Sequence, residues 1–355
     1  MSEERMSRRE FLTKSATGAA VMALGSLAFV PERVWGANDR ISLGIVGAGA
    51  RGNALMEWAQ RLSKSHNVEF TAVCDIWNQR RERAAKKVKN WTGKEPRRCR
   101  TIHEICELDD VDVLIIATAD FQHAYHLTIA VRAGKDAYVE KPLSCHFEQI
   151  KEAYKAVKET GRIVQMGTQR RGSGKYFGAR EFIKSGALGK VTYVEVCQPL
   201  FQQRWRIYGA EKSIRPEDTN WREFLRWFDP KDYPWNPRHY REFRLFWPFS
   251  SGIPCQWMSH QIDVINLALD ELPRYAMARG GVYLWKDGRT NPDTFECLLE
   301  YPSGCIVRYH MRLGNSLNGR GITIYGTNGT MELDAGIAYG DGGGGEVGRG
   351  FAVVA

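Results

Sequence analysis

The chain has 355 residues, enough for two domains that each bury a core. Apolar residues make up 43% and charged residues 26%, which is a globular composition and excludes a mostly disordered chain. The formal net charge is +9, but basic and acidic residues are interspersed, so we expect solvated faces and no nucleic-acid partner.

The first predicted element is an export signal over residues 1–36. Arg8 and Arg9 are followed by Phe-Leu and then by an uncharged stretch from Ser15 to Val30, which is the order of a twin-arginine (Tat) signal. That stretch is too short and too weakly apolar for a permanent transmembrane helix, and no later segment is apolar enough to span a membrane. We expect export through the Tat machinery to the periplasm or another extracytoplasmic space. A chance arginine pair in a disordered tail is the alternative.

A glycine-rich turn follows the first predicted strand, Ile41 to Val46. Gly47, Gly49 and Gly52 fit the pattern G-x-G-x-x-G, and an amphipathic helix follows. The first glycine permits a tight turn, the second lets the backbone approach a diphosphate, and the third lets helix and strand pack closely. The diphosphate would bind the N–H groups at the positive end of the helix. We expect this loop, with Arg51, to hold a dinucleotide.

A carboxylate, Asp75, ends the second predicted strand, "VEFTAVCD". At this distance from the glycine loop a carboxylate binds both ribose hydroxyls and repels a 2′-phosphate, which favours NAD over NADP. Arg80 and Arg81 follow closely and would weaken that preference, so NADP remains an alternative. A helix cap at the strand end is the competing structural role for Asp75.

Strands and helices continue to alternate through "TIHEICEL", "DVDVLIIAT", "HAYHLTIAVRAG" and "DAYVEKPLS". This alternation predicts an α/β fold with a doubly wound parallel sheet over residues 38–165. Ligands bind such sheets at the carboxyl ends of the strands. Thr118, His123 and Glu140 lie at those ends, so we expect them to line the cofactor pocket. For His123 a structural hydrogen bond is an equal alternative.

At "YVEKPLS" the sequence resembles the Gfo/Idh/MocA family, which includes glucose-fructose oxidoreductase and inositol dehydrogenase. The matching motifs occur in order over roughly residues 38–334 and also include "IIATADFQHA", "VQMGTQRR", "IKSGALGKV" and "SGIPCQWMSHQIDVINLALD". The resemblance implies a Rossmann domain followed, over residues 166–334, by an α+β domain with a large, open, mostly antiparallel sheet. Since that sheet often builds oligomers in the family, we expect a homo-oligomer, either a dimer or a tetramer.

Local patterns in the second half agree with that sheet. "KVTYVEV" alternates as a strand does, and Tyr301 to Gly304 read as a turn between two strand-like runs. Asn328-Gly329 is a hairpin signal. Residues 335–355 are rich in glycine and predict no stable element, in a chain that is either truncated or flexible there.

The resemblance also implies the catalytic groups. In the family the lysine of Glu-Lys-Pro lies beside the nicotinamide and the reacting hydroxyl; here it is Lys141, aimed into the site by a cis bond to Pro142 and ordered by Glu140. The family pattern Asp-x-x-x-His places a second pair on one helix, but here His260 is preceded by Gln256. Glutamine can hydrogen-bond but cannot transfer a proton. We therefore expect Lys141 and His260 to be catalytic, with His260 as the general base.

Four further candidates for substrate contacts are Arg170, Arg244, Gln256 and Asp263. Arg244 would alternatively form a buried ion pair, and Asp263 would alternatively be a surface or capping acid of its helix. Residues 200–260 hold six of the 11 tryptophans, whose flat faces suit sugar rings, although we expect most of them to pack in the core or an interface. No Cys or His cluster has metal-ligand spacing, so we expect no metal.

Three functions are compatible with these features. The leading hypothesis is an exported NAD(P)-dependent oxidoreductase that transfers a hydride between a sugar or polyol hydroxyl and a tightly bound nicotinamide. The second is a redox-neutral glycoside hydrolase or lyase that oxidises its substrate, eliminates a substituent and returns the hydride. The third is a non-catalytic sugar-binding protein, which only Gln256 and the unusual C-terminal segment support.

Overall fold

A computed structural model of the protein describes residues 40–317, 319 and 321–340, together with the backbone of 351–352. The export signal predicted over residues 1–36 lies outside the described residues. From Ile41 onward the described residues belong to one compact unit. Within these ranges, no helix is both long enough and apolar enough to cross a bilayer.

The first sheet has six parallel strands in the order β3-β2-β1-β4-β5-β6. The order reverses between β1 and β4, which is the point where ligands bind in doubly wound sheets. The central strands are short apolar runs because both faces of the sheet are covered. The strands are β1 Ile41–Val46, β2 Val68–Cys74, β3 Arg97–Cys99, β4 Val113–Ile116, β5 Asp136–Glu140 and β6 Val164–Gly167.

Helices pack on both faces of this sheet and bury two apolar clusters. Their ends carry local signals: Thr101 accepts a hydrogen bond from the Glu104 N–H at 3.2 Å, and Gly93 and Gly161 end two helices with φ of 74° and 61°. The alternating pattern predicted from the sequence is confirmed, while β3 and β6 were not predicted. The helices are α1 Ala50–Arg61, α2 Ser63–His66, α3 Asn78–Thr92, α4 Ile102–Cys106, α5 His123–Arg132 and α6 Phe147–Thr160.

The second sheet is antiparallel except for one parallel pair, β7 with β10. Its order is β15-β14-β13-β12-β7-β10-β9-β8, and β11 pairs with β7. Helices α7 Gly174–Lys184 and α10 Ser259–Leu269 contribute to the apolar cluster on its inner face. The strands are β7 Val191–Phe201, β8 Tyr275–Gly281, β9 Thr294–Glu300, β10 Ile306–Arg312, β11 Gly314–Asn315, β12 Gly321–Gly326, β13 Thr330–Glu332, β14 Ile337–Tyr339 and β15 Phe351–Ala352.

Both turns predicted in this sheet are confirmed. Strands β9 and β10 pair antiparallel, and between them Gly304 donates to the Tyr301 carbonyl at 2.9 Å with a φ of 84°. Strands β12 and β13 flank Asn328-Gly329 and also pair antiparallel. A side chain at Gly329 would meet the Tyr339 carbonyl at 2.7 Å, which explains the glycine there.

The structure differs from the sequence-based prediction after Asp334. No stable element was expected in the glycine-rich segment, but β14 pairs antiparallel with β13, and the backbone of β15 pairs with β14. A turn with Gly336 at a φ of 71° precedes β14. A three-residue strand is stabilised mainly by pairing with an existing edge, so its own composition predicts it poorly.

The segment between β7 and α10 consists of short turns around a cluster of aromatic side chains. Its helices are α8 Trp221–Leu225 and α9 Pro237–Arg241, and a π-helical turn, Pro254–Met258, leads directly into α10. The cluster also includes Trp77 and Phe121 from loops of the first sheet. The segment therefore packs against the carboxyl ends of the parallel strands.

The tryptophans of this segment mostly pack inward, as expected. Trp221 stacks on Phe224 with ring centroids 5.0 Å apart, and Trp205, Trp235 and Trp257 pack against buried clusters. Only Trp227 and Trp247 are more than one-third exposed among the six. All eight cysteines are free thiols, and six of them are buried.

Candidate active site

A cavity of about 420 Å³ lies at the carboxyl ends of β1, β2, β4 and β5, with walls that also come from the aromatic segment. Of the 14 site residues predicted from the sequence, Gly52, His260, Arg170 and Asp263 do not line this cavity. The other ten do: Gly47, Gly49, Arg51, Asp75, Thr118, His123, Glu140, Lys141, Arg244 and Gln256.

The glycine loop has the geometry of a diphosphate cradle. Gly47 has a φ of 90°, and a Cβ on Gly52 would lie 1.9 Å from the Gly47 carbonyl oxygen. A Cβ on Gly49 would approach only the Arg80 guanidinium, at 3.4 Å, so this glycine is open toward the cavity. Helix α1 begins at Ala50 without a side-chain cap, which leaves its first N–H groups available to an anion. The chain therefore fits a dinucleotide at this loop.

Asp75 stabilises the glycine loop through hydrogen bonds to backbone N–H groups. It is 5% exposed, and its carboxylate accepts hydrogen bonds from the Ala48 and Trp77 N–H groups, each at 2.8 Å. Burial raises the pKa of Asp75, and the charge of Arg80 opposes that shift. Each carboxylate oxygen has a second lone pair, so Asp75 can brace the loop and still accept from a ribose hydroxyl.

The cavity wall beside Asp75 is basic. The Arg80 and Arg241 guanidinium carbons lie 4.8 and 4.9 Å from the Trp77 ring centroid, and Arg100 also lines the cavity. Arg81 points elsewhere, since it donates to the Asp75 carbonyl at 3.2 Å. Of the two arginines expected to weaken the preference for NAD, Arg80 therefore lines the cavity and Arg81 does not.

Glu140 forms its hydrogen bonds with Arg51 and Tyr138. The Arg51 Nε and a terminal nitrogen lie 2.7 and 2.6 Å from Glu140 Oε1, and the Tyr138 hydroxyl donates to the same oxygen at 3.1 Å. Glu140 was expected to order Lys141; it forms no hydrogen bond with that lysine, although its charge opposes the lowering of the Lys141 pKa. Instead, Glu140 fixes Arg51 at the start of α1.

His123 links two loops of the cavity. Its Nδ1 lies 2.6 Å from the Pro142 carbonyl oxygen, and its Nε2 lies 3.2 Å from the Thr118 carbonyl oxygen. Burial lowers the pKa of His123, which favours the neutral ring, and a neutral imidazole can donate to only one of these two carbonyls. Thr118 uses its hydroxyl on His126 Nδ1 at 3.0 Å. The structural alternative for His123 is thus realised, although the residue also lines the cavity.

Lys141 extends into the cavity from the end of β5. The Lys141–Pro142 peptide bond is cis, as the family resemblance implied. The ammonium donates to the backbone carbonyl of Gln256 at 3.1 Å. Burial lowers the pKa of Lys141; the charge of Asp120 opposes this effect and that of Arg244 reinforces it. A lysine in this state can release or accept a proton more readily than one in water.

A buried carboxylate, Asp120, stands beside this lysine. It is 1% exposed, and its Oδ2 accepts hydrogen bonds from Ser250 Oγ at 2.6 Å and Gln256 Nε2 at 2.5 Å. Gln256 thus connects the two groups, through its carbonyl to Lys141 and through its side chain to Asp120. The family resemblance expects a carboxylate at position 256; here Asp120 supplies one from the opposite wall. Its position just after the strand that ends at Thr118 predicts a residue that lines the nicotinamide pocket, but nothing in the sequence pairs it with Gln256.

Replacing Asp120 with Asn should move the pH dependence of turnover. Asn can keep the hydrogen bonds to Ser250 and Gln256 but removes a charge that raises the pKa of Lys141. The limb of the kcat/KM profile due to Lys141 should shift to lower pH by roughly one unit. Ser250→Ala is the matched control, because it removes a hydrogen bond and keeps the charge. An unshifted limb in Asp120→Asn would contradict the assignment.

His260 lies beyond Gln256 at the start of α10. Burial, and then the charges of Lys141, Arg170 and Arg51, lower the pKa of His260 to about 3. The ring is therefore close to those cations and neutral at physiological pH. A neutral imidazole accepts hydrogen bonds, but with this pKa it is a weak base, which favours a binding role over the general-base role expected from the sequence.

Arg170 and Asp263 are engaged in ion pairs away from the cavity wall. Arg170 pairs with Asp334 at 3.0 Å, and Asp263 pairs with Arg171 at 2.8 Å. Asp263 is thus held in an ion pair on its helix, with a side chain that is 18% exposed. In the part of the chain that the structure describes, no group of three or more His, Cys, Asp or Glu side chains is arranged to hold a metal ion.

Two family models match the chain. The model described as "Oxidoreductase family, NAD-binding Rossmann fold" (GFO_IDH_MocA) matches residues 41–168. The "GFO/IDH/MocA C-terminal domain" model matches residues 225–332, and the two matches together span more than half of the chain. The parallel sheet with its glycine cradle is therefore an NAD-binding Rossmann domain.

Individual proteins are similar over shorter stretches. The chain is 38% identical over 91 residues to scyllo-inositol 2-dehydrogenase (NAD(+)) of Bacillus subtilis (strain 168), covering 26% of this chain and 27% of the relative. It is 24% identical over 235 residues to glycosyl hydrolase family 109 protein 2 of Shewanella sp. (strain ANA-3), covering 61% and 50%. The chain thus spans between about a quarter and a half of the length of these curated relatives.

Solved structures share the fold along most of the chain. The WlbA dehydrogenase from Bordetella pertussis, in complex with NADH and UDP-GlcNAcA, matches with a TM-score of 0.63 at 18% identity. The match covers 88% of this chain and 83% of that chain. At this level of identity the similarity establishes the two-sheet architecture.

Proposed function

Since the chain belongs to the Gfo/Idh/MocA family, we propose that it is an NAD-dependent oxidoreductase acting on a hydroxyl group of a sugar, polyol or sugar derivative. One observation carries the proposal. The glycine cradle and the partly buried Lys141, whose pKa is lowered, line the same cavity. A dinucleotide held at the cradle would extend toward Lys141, which is where a substrate hydroxyl needs a proton acceptor.

The residues of this chain would handle the proton and the position of the substrate. Bound NAD supplies the hydride acceptor for the carbon that carries the reacting hydroxyl. Lys141 takes the hydroxyl proton as the carbonyl forms, and its lowered pKa makes the neutral amine accessible. Asp120 stabilises the ammonium that results, and Gln256 holds both groups in place. His260 is neutral and lies outside the lining of the cavity, so it supplies no second proton acceptor there.

The substrate class is supported by what the relatives are. One curated relative is an inositol dehydrogenase, and one solved structure with the same fold holds NADH and a UDP-sugar acid. Inositol and the sugar of that nucleotide ligand are both polyhydroxylated rings. The cavity offers several polar side chains for such a ring, including Gln169, Arg244 and Gln256.

Export remains part of the proposal. Arg8 and Arg9 favour the Tat route, which carries folded proteins, so NAD would be loaded in the cytoplasm and retained. Outside the cytoplasm little free NAD is available. The enzyme would then hold its cofactor tightly and regenerate it in place, by a second substrate or by returning its own hydride.

A homo-oligomer also fits the open sheet. Exposed apolar side chains project from its outer face, and the ion pairs of Arg308 with Glu195 and Glu296 lie among them. A second copy of the chain would cover this surface. The apolar residues are Tyr275, Met277, Leu298, Ile306, Tyr325 and Ile337.

One experiment tests the function and the export together. The full chain and an Arg8→Lys, Arg9→Lys variant are expressed, and the cells are fractionated to locate each protein. The purified protein is then assayed for bound dinucleotide and for reduction of that dinucleotide by a panel of sugars and cyclitols. We expect the wild-type chain outside the cytoplasm with bound NAD that a substrate reduces, and the variant inside. Protein without nucleotide affinity would exclude the enzyme, and unchanged location of the variant would exclude Tat export.

A redox-neutral reaction is the second candidate. The similarity to a family 109 glycosyl hydrolase over 61% of this chain favours it, as does the need to regenerate a retained cofactor. The same panel distinguishes the two reactions. Release of a sugar or an aglycone with no lasting change in nicotinamide absorbance indicates the redox-neutral enzyme, whereas lasting reduction indicates the dehydrogenase.

A further inference from the structure

Arg244 is a cavity cation whose guanidinium has no carboxylate partner among the described residues. It lies in the short turn Phe243–Leu245 and lines the cavity together with Lys141 and Gln256. Its charge contributes to the lowered pKa of Lys141, after the larger effect of burial and against the raising effect of Asp120. Two cations therefore share the substrate end of the cavity.

The backbone of Arg244 is held firmly. Asn291, which is 5% exposed, donates from Nδ2 to the Arg244 carbonyl at 2.9 Å and to the Ser250 carbonyl at 2.8 Å. The Arg244 guanidinium carbon lies 4.4 Å from the centroid of the Phe243 ring. Because Ser250 also donates to Asp120, Arg244 is anchored to the same network that surrounds Lys141.

Two glutamates near the cavity are bound to other cations, and the charge of Asp120 acts on Lys141. Glu140 pairs with Arg51 at 2.6 Å, and Glu242, which is 1% exposed, pairs with Arg238 at 2.7 Å. Neither is available to neutralise Arg244. The ion pair that the sequence offered as an alternative role for Arg244 is thus not made within the described part of the chain.

A guanidinium in this position is suited to an anionic group on the ligand. Arginine offers two parallel N–H donors that match a carboxylate, and such charge-assisted pairs are stronger than neutral hydrogen bonds. A neutral sugar would leave Arg244 half-buried without a counter-ion, next to a second cation. A sugar acid would satisfy Arg244 with its carboxylate and present a ring hydroxyl to Lys141.

We propose that the substrate of this site is a polyhydroxy carboxylate, such as a uronic acid, whose carboxylate pairs with Arg244 while a hydroxyl of the same molecule reaches Lys141. This assignment rests on the proposed function and adds the substrate class. The diphosphate of the cofactor would bind at the glycine cradle, where the uncapped start of α1 offers its own donors.

Matched pairs of ligands test the assignment. The NAD-loaded protein is assayed with glucose against glucuronate and with galactose against galacturonate, and glucose 6-phosphate provides a different anion. Binding is followed separately, by the thermal shift that each ligand causes in the NADH-loaded protein. We compare the wild-type chain with Arg244→Gln and Arg244→Lys. Arg279→Gln, which replaces an exposed arginine on β8, serves as the control.

We expect the uronates to exceed the neutral sugars in kcat/KM by about 10- to 100-fold. Arg244→Gln should abolish that preference, because it lowers kcat/KM for the uronates far more than for the neutral sugars. Arg244→Lys should retain part of it, and Arg279→Gln all of it. Three results would overturn the assignment while the oxidoreductase function stands. They are equal use of both ligand classes, a preference for glucose 6-phosphate, and an equal loss of activity on both classes in Arg244→Gln. If no ligand is oxidised, the proposed oxidoreductase function fails, and the thermal shift tests the substrate assignment on its own. A rise in melting temperature that only uronates cause, and that Arg244→Gln loses, supports the assignment. No rise with uronates overturns it.

Discussion

Replacing Lys141 with Ala should lower kcat by roughly 1,000-fold, while NADH binds as tightly as in the wild-type enzyme. The lysine is partly buried beside Asp120 and is the group in the cavity best placed to take the hydroxyl proton. It makes no contact with the glycine cradle, so cofactor affinity should not change. Stopped-flow hydride transfer and fluorescence titration with NADH measure the two quantities separately.

Two variants show what the lysine contributes. Lys141→Arg keeps a positive charge but cannot release its proton near neutral pH, so it should restore substrate binding and leave kcat low. Lys155→Ala removes an exposed lysine from α6 and should have no effect. Wild-type turnover in Lys141→Ala would remove this residue from the mechanism.

The pH profile should also carry the signature of Lys141. Burial lowers the pKa of this ammonium, so activity that needs the neutral amine rises with pH along a limb below the usual range for lysine. His260, with a pKa of about 3, stays neutral throughout and adds no limb near neutral pH. The rising limb should therefore disappear with Lys141 and persist when His260 is replaced.

Replacing Gly52 with Ala should abolish dinucleotide binding and destabilise the protein by at least about 2 kcal/mol. The new Cβ would lie 1.9 Å from the Gly47 carbonyl oxygen, a backbone atom that cannot move without shifting β1 or α1. The cradle would open as the helix moves away from the strand. Thermal denaturation and NADH titration measure both consequences.

Gly49→Ala should affect dinucleotide binding without affecting the stability of the fold. Its Cβ would meet only the end of the flexible Arg80 side chain, at 3.4 Å, so the fold should tolerate it. The methyl group would occupy the surface where the diphosphate approaches, and NADH affinity should fall about 10-fold or more. Gly174→Ala, with open space around the new Cβ, is the control for both measurements. Unchanged NADH affinity in Gly49→Ala would mean that the dinucleotide binds elsewhere.

The parts of the site that the sequence predicted are those fixed by local chemistry. Gly47 and Gly52 are required by a tight turn and a close contact within six residues, and Asp75 lies at the end of the next strand. The hairpin at Asn328-Gly329 is equally local. Such features depend on backbone conformations that few residue types adopt, so the pattern of residues indicates them directly.

The parts that the sequence missed depend on contacts between distant residues. Asp120 and Gln256 are 136 positions apart, and neither has a local signature that would identify the other as its partner. Glu140 binds Arg51 because the sheet order places β5 near the start of α1, a consequence of topology. The replacement of the expected carboxylate at position 256 therefore looked like a loss in the sequence, whereas the structure supplies the charge from Asp120.

Because of the π-helical turn at Pro254–Met258, the site depends on how many residues the turn contains as well as on which residues they are. A π turn contains about one residue more than an α-helical turn, so the helix that follows is rotated by roughly 100° relative to an uninterrupted one. Gln256 lies within this turn and His260 just after it. Loss of a single residue there would turn the His260 ring away from Lys141 while leaving every side chain of the site in the sequence. An insertion or deletion between Gly252 and His260 in a related chain would thus signal a change of chemistry even where all the motif residues are retained.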